Sequence, residues 1–322
     1  MFKSRAEGSA EWERRTLEKL LHAQVIEQRR TRRWGIFFKF LLFVYLFAIL
    51  FLLRAPDLDW AKWWDTDREP TVHVAVVDLE GTISSESNAN ADDFNKALRS
   101  AFEDDDTRAV MIRINSGGGS PVQSAMMHEE ILRLRDLHPE IPVYAVIADI
   151  GASGAYYVAA AADEIYAHSS SIVGSIGVRL DAFGVVGLME RWGIERRLFT
   201  AGENKGFLDP FLPLEDGDVS HVNAVIGRMH AQFIEAVRSG RGDRLNGGDD
   251  LFSGWVWTGA EALELGLIDG IGDARGVARD IIGIEDLMLF EPQRSVFQQL
   301  LDDLGVAASS WWQAQETRWV WR

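Results

Sequence analysis

The chain has 322 residues, 47% of them apolar, enough to bury a sizeable core in one or two domains. It contains no cysteine, which excludes a disulfide framework and a thiolate metal site; the seven histidines are scattered without zinc spacing, and no cofactor or metal is expected. The net charge of −16 is unevenly divided: residues 1–33 carry nine Lys/Arg against five Asp/Glu, while the chain beyond Lys39 carries about −21, which argues against nucleic acid or anionic lipid as a ligand of that acidic part.

In the first stretch, Glu11–Ile26 places Leu17, Leu20, Leu21 and Val25 at helical spacing between charges, which predicts a short helix. Trp34–Leu53 is then almost wholly apolar and, at about 1.5 Å per residue, long enough for a bilayer core of about 30 Å. Arg29, Arg30, Arg32 and Arg33 precede it and only Arg54 follows at once, so the positive-inside rule puts residues 1–33 in the cytoplasm and the remainder across the membrane. The run is too long for an ordinary signal-peptide core, and Leu-Leu-Arg-Ala-Pro-Asp is a poor cleavage site, so an uncleaved single-pass anchor is expected. Residues 54–71, rich in Trp and Asp, read as a linker.

From Val72 strands and helices alternate. Val72–Leu79, Arg108–Ile114, Pro142–Ala148, Glu164–Ala167 and Ile194–Thr200 read as strands. Ala91–Phe102, Ser124–Leu137, a stretch after Ser153, a turn at Gly187–Trp192 and the long Glu215–Ser239 read as helices, the last with Val222, Ile226, Met229, Phe233 and Val237 on one face. Such alternation predicts parallel βαβ units with ligands at the carboxyl ends of the strands. A short helix and a Gly-rich turn within Trp257–Gly272 precede the domain's end near residue 285. Residues 286–322 form a tail with an amphipathic pattern (Val296, Leu300, Leu301, Leu304) and Trp311, Trp312, Trp319 and Trp321.

The chemistry gathers at two turns and one loop. In Asp149–Ala162, DIGASGAYYVAAAA, Ser153 stands where a strand becomes a helix, beside unpaired N–H groups and the positive end of a dipole. Serine is equally a common helix N-cap, so the stretch alone leaves cap and nucleophile open. Asn115–Ser120, NSGGGS, also joins a strand to a helix; its glycines let successive N–H groups form an anion nest, which serves an oxyanion hole or a phosphate. Only Lys96 and Lys205 are lysines beyond the linker, and Lys205 lies in a Gly-containing loop after a predicted strand, where it is either a surface residue or a base. No histidine offers itself to Ser153: His168, the nearest, leads into a Ser-Ser-Ser turn. Nor is Gly-Ala-Ser-Gly-Ala the G-x-S-x-G elbow, so a serine–lysine pair is the better-supported arrangement.

ASGAYYVAAAADEIYA (Ala152–Ala167), GSIGV (Gly174–Val178) and the Lys205 loop, in that order, resemble the signal peptide peptidase A family of membrane-anchored serine proteases. INSGGGS resembles that family's Asn-Ser-Pro-Gly-Gly loop and WTGAEALELGLIDGIG its closing motif, so the similarity covers roughly residues 72–285, in a single copy like the short, SohB-like members. The resemblance implies a ClpP/crotonase-like α/β fold of stacked βαβ units and a homo-oligomeric dome. It also implies Ser153 as nucleophile, Lys205 as general base and Ser175 as the hydroxyl that positions the lysine. Gly118 and Gly119 with the N–H of Gly154 would form the oxyanion hole. In short members the lysine can come from a neighbouring protomer. Two positions depart from the pattern: Gly117 stands for the usual proline and Ala155 for a common glycine. An amine serves as a base near neutral pH only when desolvation favours its uncharged form, and Phe207, Leu208 and Phe211 flank Lys205.

The expected activity is therefore endopeptidase cleavage of signal-peptide remnants or other membrane-derived polypeptides on the non-cytoplasmic side of the cell membrane. A catalytically silent, peptide-binding scaffold of the same fold is the alternative, and retention of both Ser153 and Lys205 weighs against it. A crotonase-type acyl-CoA enzyme shares the oxyanion architecture but sits poorly with an anchor and an acidic outer domain.

Overall fold

A computed structural model describes residues 32–47, 49 and 71–292 and divides the chain into two units: residues 1–67 with 294–322, and residues 68–293. In the first unit residues 32–47 are helical with exposed side chains, and the ring of Trp34 meets those of Phe37 and Phe38. Among the described residues no helix is long and apolar enough to cross a membrane. The far end of the expected span (residues 50–53), nearly all of the linker and the Trp-rich tail from residue 293 lie outside the described residues, as does the helix expected at Glu11–Ile26.

The second unit is built on one eight-stranded sheet. Its main path runs β6 (Val256–Thr258), β5 (Ile172–Gly174), β3 (Val143–Ala152), β2 (Thr107–Ser116), β1 (His73–Glu80), β8 (Leu287–Leu289); β4 (Glu164–Ala167) branches from β3 and carries β7 (Gly270–Ile271). Every pairing is parallel except β5 with β6. Parallel strands covered on both faces must be apolar nearly throughout, which is why β1, β2 and β3 read as Val/Ile/Ala runs instead of alternating ones. One face packs Val77, Leu79, Ile112, Ile114 and Ile147 against α1 (Ala91–Glu103), α2 (Pro121–Leu137) and α3 (Gly154–Ala159); the other carries a smaller cluster of Val74, Val76, Met111, Val146, Tyr166 and Val277. This parallel-dominated α/β architecture fits a ClpP/crotonase-like fold.

Local sequence explains the helix starts. The Asn90 side chain accepts from the N–H of Asp93 at the head of α1, and Ser120 caps α2 with Pro121 in the first turn. Phe94, Leu98 and Phe102 are buried on one face, as their spacing predicts. Two of the later helices bear on the site: α4 (Val186–Arg191), with no buried residue, and the 26-residue α5 (Asp216–Arg241), whose buried residues Phe233, Val237 and Arg241 all lie near its C-terminal end. Met229, expected on the core face, is exposed, and Val222 and Ile226 are only half-buried.

Three differences from expectation matter. β3 does not stop at Ala148 but runs to Ala152, because Ile150, Gly151 and Ala152 find a second partner in Ile172, Val173 and Gly174. Ile194–Thr200 is exposed and irregular, not a strand: no neighbouring strand offers it a ladder, and β propensity without a partner leaves the backbone unpaired. Residues 287–289, expected in the tail, add β8 to the sheet beside Val74–Val76, so the folded unit extends past residue 285.

Candidate active site

The pairing of β3 with β5 constructs the site. With Ala152 opposite Gly174, the next residues, Ser153 and Ser175, leave two neighbouring strands side by side, and the Ser153 N–H donates to the Gly174 carbonyl at 2.8 Å. Both serines have left-handed backbones, φ 53° at Ser153 and φ 50° at Ser175. Such a conformation costs a side-chain-bearing residue about 1–3 kcal/mol and persists only where its surroundings impose it. Ser153 occupies the N-cap position of α3, yet its side chain makes no capping hydrogen bond. The hydroxyl is therefore not spent on the helix, and the capping explanation for this serine falls away.

The glycine loop is pressed against that corner. A β-carbon on Gly118 would lie 2.5 Å from the Gly154 nitrogen and 2.8 Å from the Ala152 carbonyl oxygen; one on Gly119 would lie 2.1 Å from the Ile83 carbonyl oxygen. Both have positive φ, 87° and 154°. Ile83 clamps the loop: its N–H donates to the Gly118 carbonyl at 3.0 Å, and its carbonyl accepts from Ser120 at 2.8 Å. The Gly118 N–H is committed to the Ser116 hydroxyl at 3.1 Å. The Gly119 and Gly154 N–H groups take no partner among the described residues, and a β-carbon on Gly154 would sit 3.3 Å from the Gly119 nitrogen. Two free donors thus stand close together beside the Ser153 hydroxyl, an arrangement able to hold a developing oxyanion.

These groups line one cavity of about 740 Å³, shared by Ser153, Ser175 and the glycine loop with Tyr157, Met229 and Phe233. Tyr157 lies one helical turn after Ser153, and its ring packs 4.9 Å from Phe233 and 5.0 Å from the His128 ring. His128 is buried, its Nδ1 at 2.9 Å from the Tyr157 carbonyl oxygen, and burial lowers its pKa from the ordinary histidine value. Desolvation raises the Tyr157 phenol. Spacing could have revealed Tyr157, four residues from Ser153 on a helix. Met229 and Phe233 share the apolar stripe of α5, but which part of that stripe faces core and which faces cavity is a matter of packing.

Ser153, Ser175, Gly118, Gly119 and Gly154 thus meet at one place. Lys205 does not join them within the chain: it is exposed, in a turn closed by its own N–H on the Gly202 carbonyl at 3.2 Å, and it does not line the cavity. Its segment is conspicuously apolar at the surface, with Phe183, Trp192 and Phe199 at 84%, 76% and 92% exposure. Among the described residues no cluster of His, Asp or Glu is arranged to hold a metal.

The family model of peptidase family S49 matches residues 135–281, which include Ser153, Ser175 and Lys205. The chain is 30% identical over 266 residues to slr0021 of Synechocystis sp., a protein bearing a protease name, covering 77% of this chain and 94% of that one. It is 32% identical over 203 residues to Protease 4 of Haemophilus influenzae, covering 62% of this chain and 32% of that one. It is also 44% identical over 216 residues to a Brucella abortus protein named Na(+)/H(+) antiporter NhaA, covering 66% of this chain but only 29% of that protein's length. A family match that takes in the Ser153 corner, together with a relative covered almost end to end, places the chain in peptidase family S49, the signal peptide peptidase A family.

Proposed function

We propose that the chain is a serine endopeptidase in which Ser153 is the nucleophile and Lys205 the general base. The observation that carries this reading is the uncapped hydroxyl of Ser153, held in a strained backbone beside the free N–H groups of Gly119 and Gly154. In the reaction the lysine amine takes the hydroxyl proton as Oγ attacks the peptide carbonyl. The two N–H groups hold the oxyanion, and the amine returns the proton to the leaving nitrogen. Water then hydrolyses the acyl-serine with the lysine again as base. Ser175, adjacent to Ser153, is suited to orient the amine.

Because Lys205 is exposed and outside the cavity lining of its own chain, the dyad is best completed by a neighbouring protomer in a homo-oligomeric dome. The exposed Phe183, Trp192 and Phe199 supply apolar area for such an assembly. The apolar run at Trp34–Leu53 and the arginines before it support a membrane anchor with the peptidase unit on the non-cytoplasmic side, and remnants of signal peptides as substrates. Labelling of the full chain by a fluorophosphonate probe tests the core of this reading. Modification of the wild type but not of Ser153→Ala is expected; equal labelling of both would reject Ser153 as the nucleophile.

A further inference from the structure

The cavity beside Ser153 is electrically one-sided. Among the described residues that line it, only Arg179 carries a formal charge at neutral pH; the rest are glycines, hydroxyl or amide residues and apolar side chains. Among the described residues no carboxylate lines it, in a chain whose part beyond Lys39 is strongly acidic. Arg179 is also close in the chain to the chemistry, four residues after Ser175. The intervening Gly177 lies against Gly254, where a β-carbon would come within 3.2 Å of the Gly254 Cα, so the path of the backbone towards Arg179 is set by close packing.

The guanidinium is available. Its ion pair is with Asp181 at 3.5 Å, and the two side chains are 88% and 67% exposed. An exposed pair two residues apart contributes little, so exchanging Asp181 for an incoming carboxylate costs little. A guanidinium offers a carboxylate two parallel N–H donors, a geometry no other group lining the cavity provides. The acidic chain repels anionic peptides in general, and one cation at the mouth of the site offsets that locally.

We propose that Arg179 is a specificity-determining residue that selects peptides bearing a carboxylate close to the scissile bond, next to the apolar side chains that Tyr157, Phe233 and Met229 accommodate. The proposal rests on the peptidase reading above. The carboxylate can be an acidic side chain or the free C-terminus of a short remnant.

The test uses the full chain in detergent and internally quenched apolar peptides in matched sets. One set compares Glu, Gln and Lys at each position flanking the cleaved bond, with amidated C-termini; a second compares free with amidated C-termini on peptides without acidic residues. The readout is the ratio of kcat/KM for the carboxylate-bearing over the neutral peptide within each protein, which cancels any general effect of a substitution on catalysis. Wild type is expected to prefer the carboxylate by about tenfold, the size of an incompletely desolvated charge-assisted contact. The preference should reside mainly in KM, disappear in Arg179→Gln and turn towards Lys-containing peptides in Arg179→Glu. The set that shows the preference identifies the source of the carboxylate. A wild type that cleaves neutral peptides with no preference in either set, or an undiminished preference in Arg179→Gln, overturns the role of Arg179 while leaving the peptidase reading intact. Absence of any cleavage, with no probe labelling at Ser153, overturns both.

Discussion

At the scale of single residues, the site is defined by what Ser153 does not do. It occupies an N-cap and leaves its hydroxyl uncommitted, while its backbone sits at φ 53°, ψ −126°. Ser153→Ala is expected to abolish peptide hydrolysis with little change in melting temperature, since no structural hydrogen bond is lost. Ser153→Gly should be equally inactive yet more stable than the alanine variant by up to about 1 kcal/mol, because glycine adopts positive φ without the β-carbon clash. Thermal unfolding of the pair checks this; an alanine variant more stable than the glycine one would mean that the corner is not strained. His128 provides a pH prediction. Burial lowers its pKa in the folded state, so the unfolded chain binds the extra proton more readily and stability falls as pH drops below about 6.5. In His128→Gln that part of the loss below about pH 6.5 should vanish; denaturant midpoints that fall with pH equally in wild type and variant would contradict it.

At the scale of elements, two glycines separate a packing role from a catalytic one. A β-carbon on Gly240 of α5 would lie 1.9 Å from the Ala160 carbonyl oxygen at the end of α3, and one on Gly119 would lie 2.1 Å from that of Ile83. Both alanine variants should lose stability, by about 2–4 kcal/mol, a typical cost of backbone strain and overpacking. If the Gly119 N–H is an oxyanion donor as proposed, Gly119→Ala displaces it as well, so the folded fraction that remains should retain less than about one hundredth of the activity, whereas Gly240→Ala should keep most of it per folded molecule. Active-site titration alongside the rate assay makes the distinction. The foot of α5 is further tied by Arg241, 1% exposed, which donates to both Asp269 oxygens at 2.6 and 2.9 Å and to the Gly266 carbonyl. Asp269 is half-enclosed; burial alone would raise its pKa, but the hydrogen bonds from Arg241 and the Ile165 N–H hold it below the usual carboxylate value. Removing the guanidinium in Arg241→Ala leaves that carboxylate only the Ile165 N–H and the more exposed Arg244 guanidinium at 3.3 Å, and should cost about 3 kcal/mol, the low end for breaking a buried pair.

At the scale of the whole molecule, the distribution of apolar surface sets the expectation. Residues 178–215 hold Lys205 and an array of exposed Phe, Trp and Leu, while among the described residues no lysine lines the cavity with Ser153. If the base crosses from one protomer to the next, co-assembly of Ser153→Ala with Lys205→Ala should regain a measurable fraction of wild-type activity, because some junctions pair an intact serine with an intact lysine. Background activity in verified mixed assemblies would confine the dyad to one chain.

The elements whose residues carry their own periodicity were legible without a structure: the buried runs of β1 and β2, the Phe94–Leu98–Phe102 stripe of α1, and Ser153 at the junction of a strand and an Ala-rich helix. Local sterics and burial decide these, and both are written in neighbouring residues. Tertiary structure decided what depends on a distant partner. Ile194–Thr200 has strand-forming residues but no ladder to join, whereas Leu287–Leu289 gains one from Val74–Val76. The cavity walls at Tyr157, Met229 and Phe233 come from helices brought together by the sheet. The pair of free N–H groups, too, required the fold: the glycine run announces a flexible loop and Ser116, two residues earlier, takes the Gly118 N–H, but only the clamp of Ile83 on the Gly118 carbonyl and the Ser120 N–H fixes where the free Gly119 N–H stands. A hydrogen bond to a residue more than thirty positions away is a consequence of topology, and no local pattern encodes it.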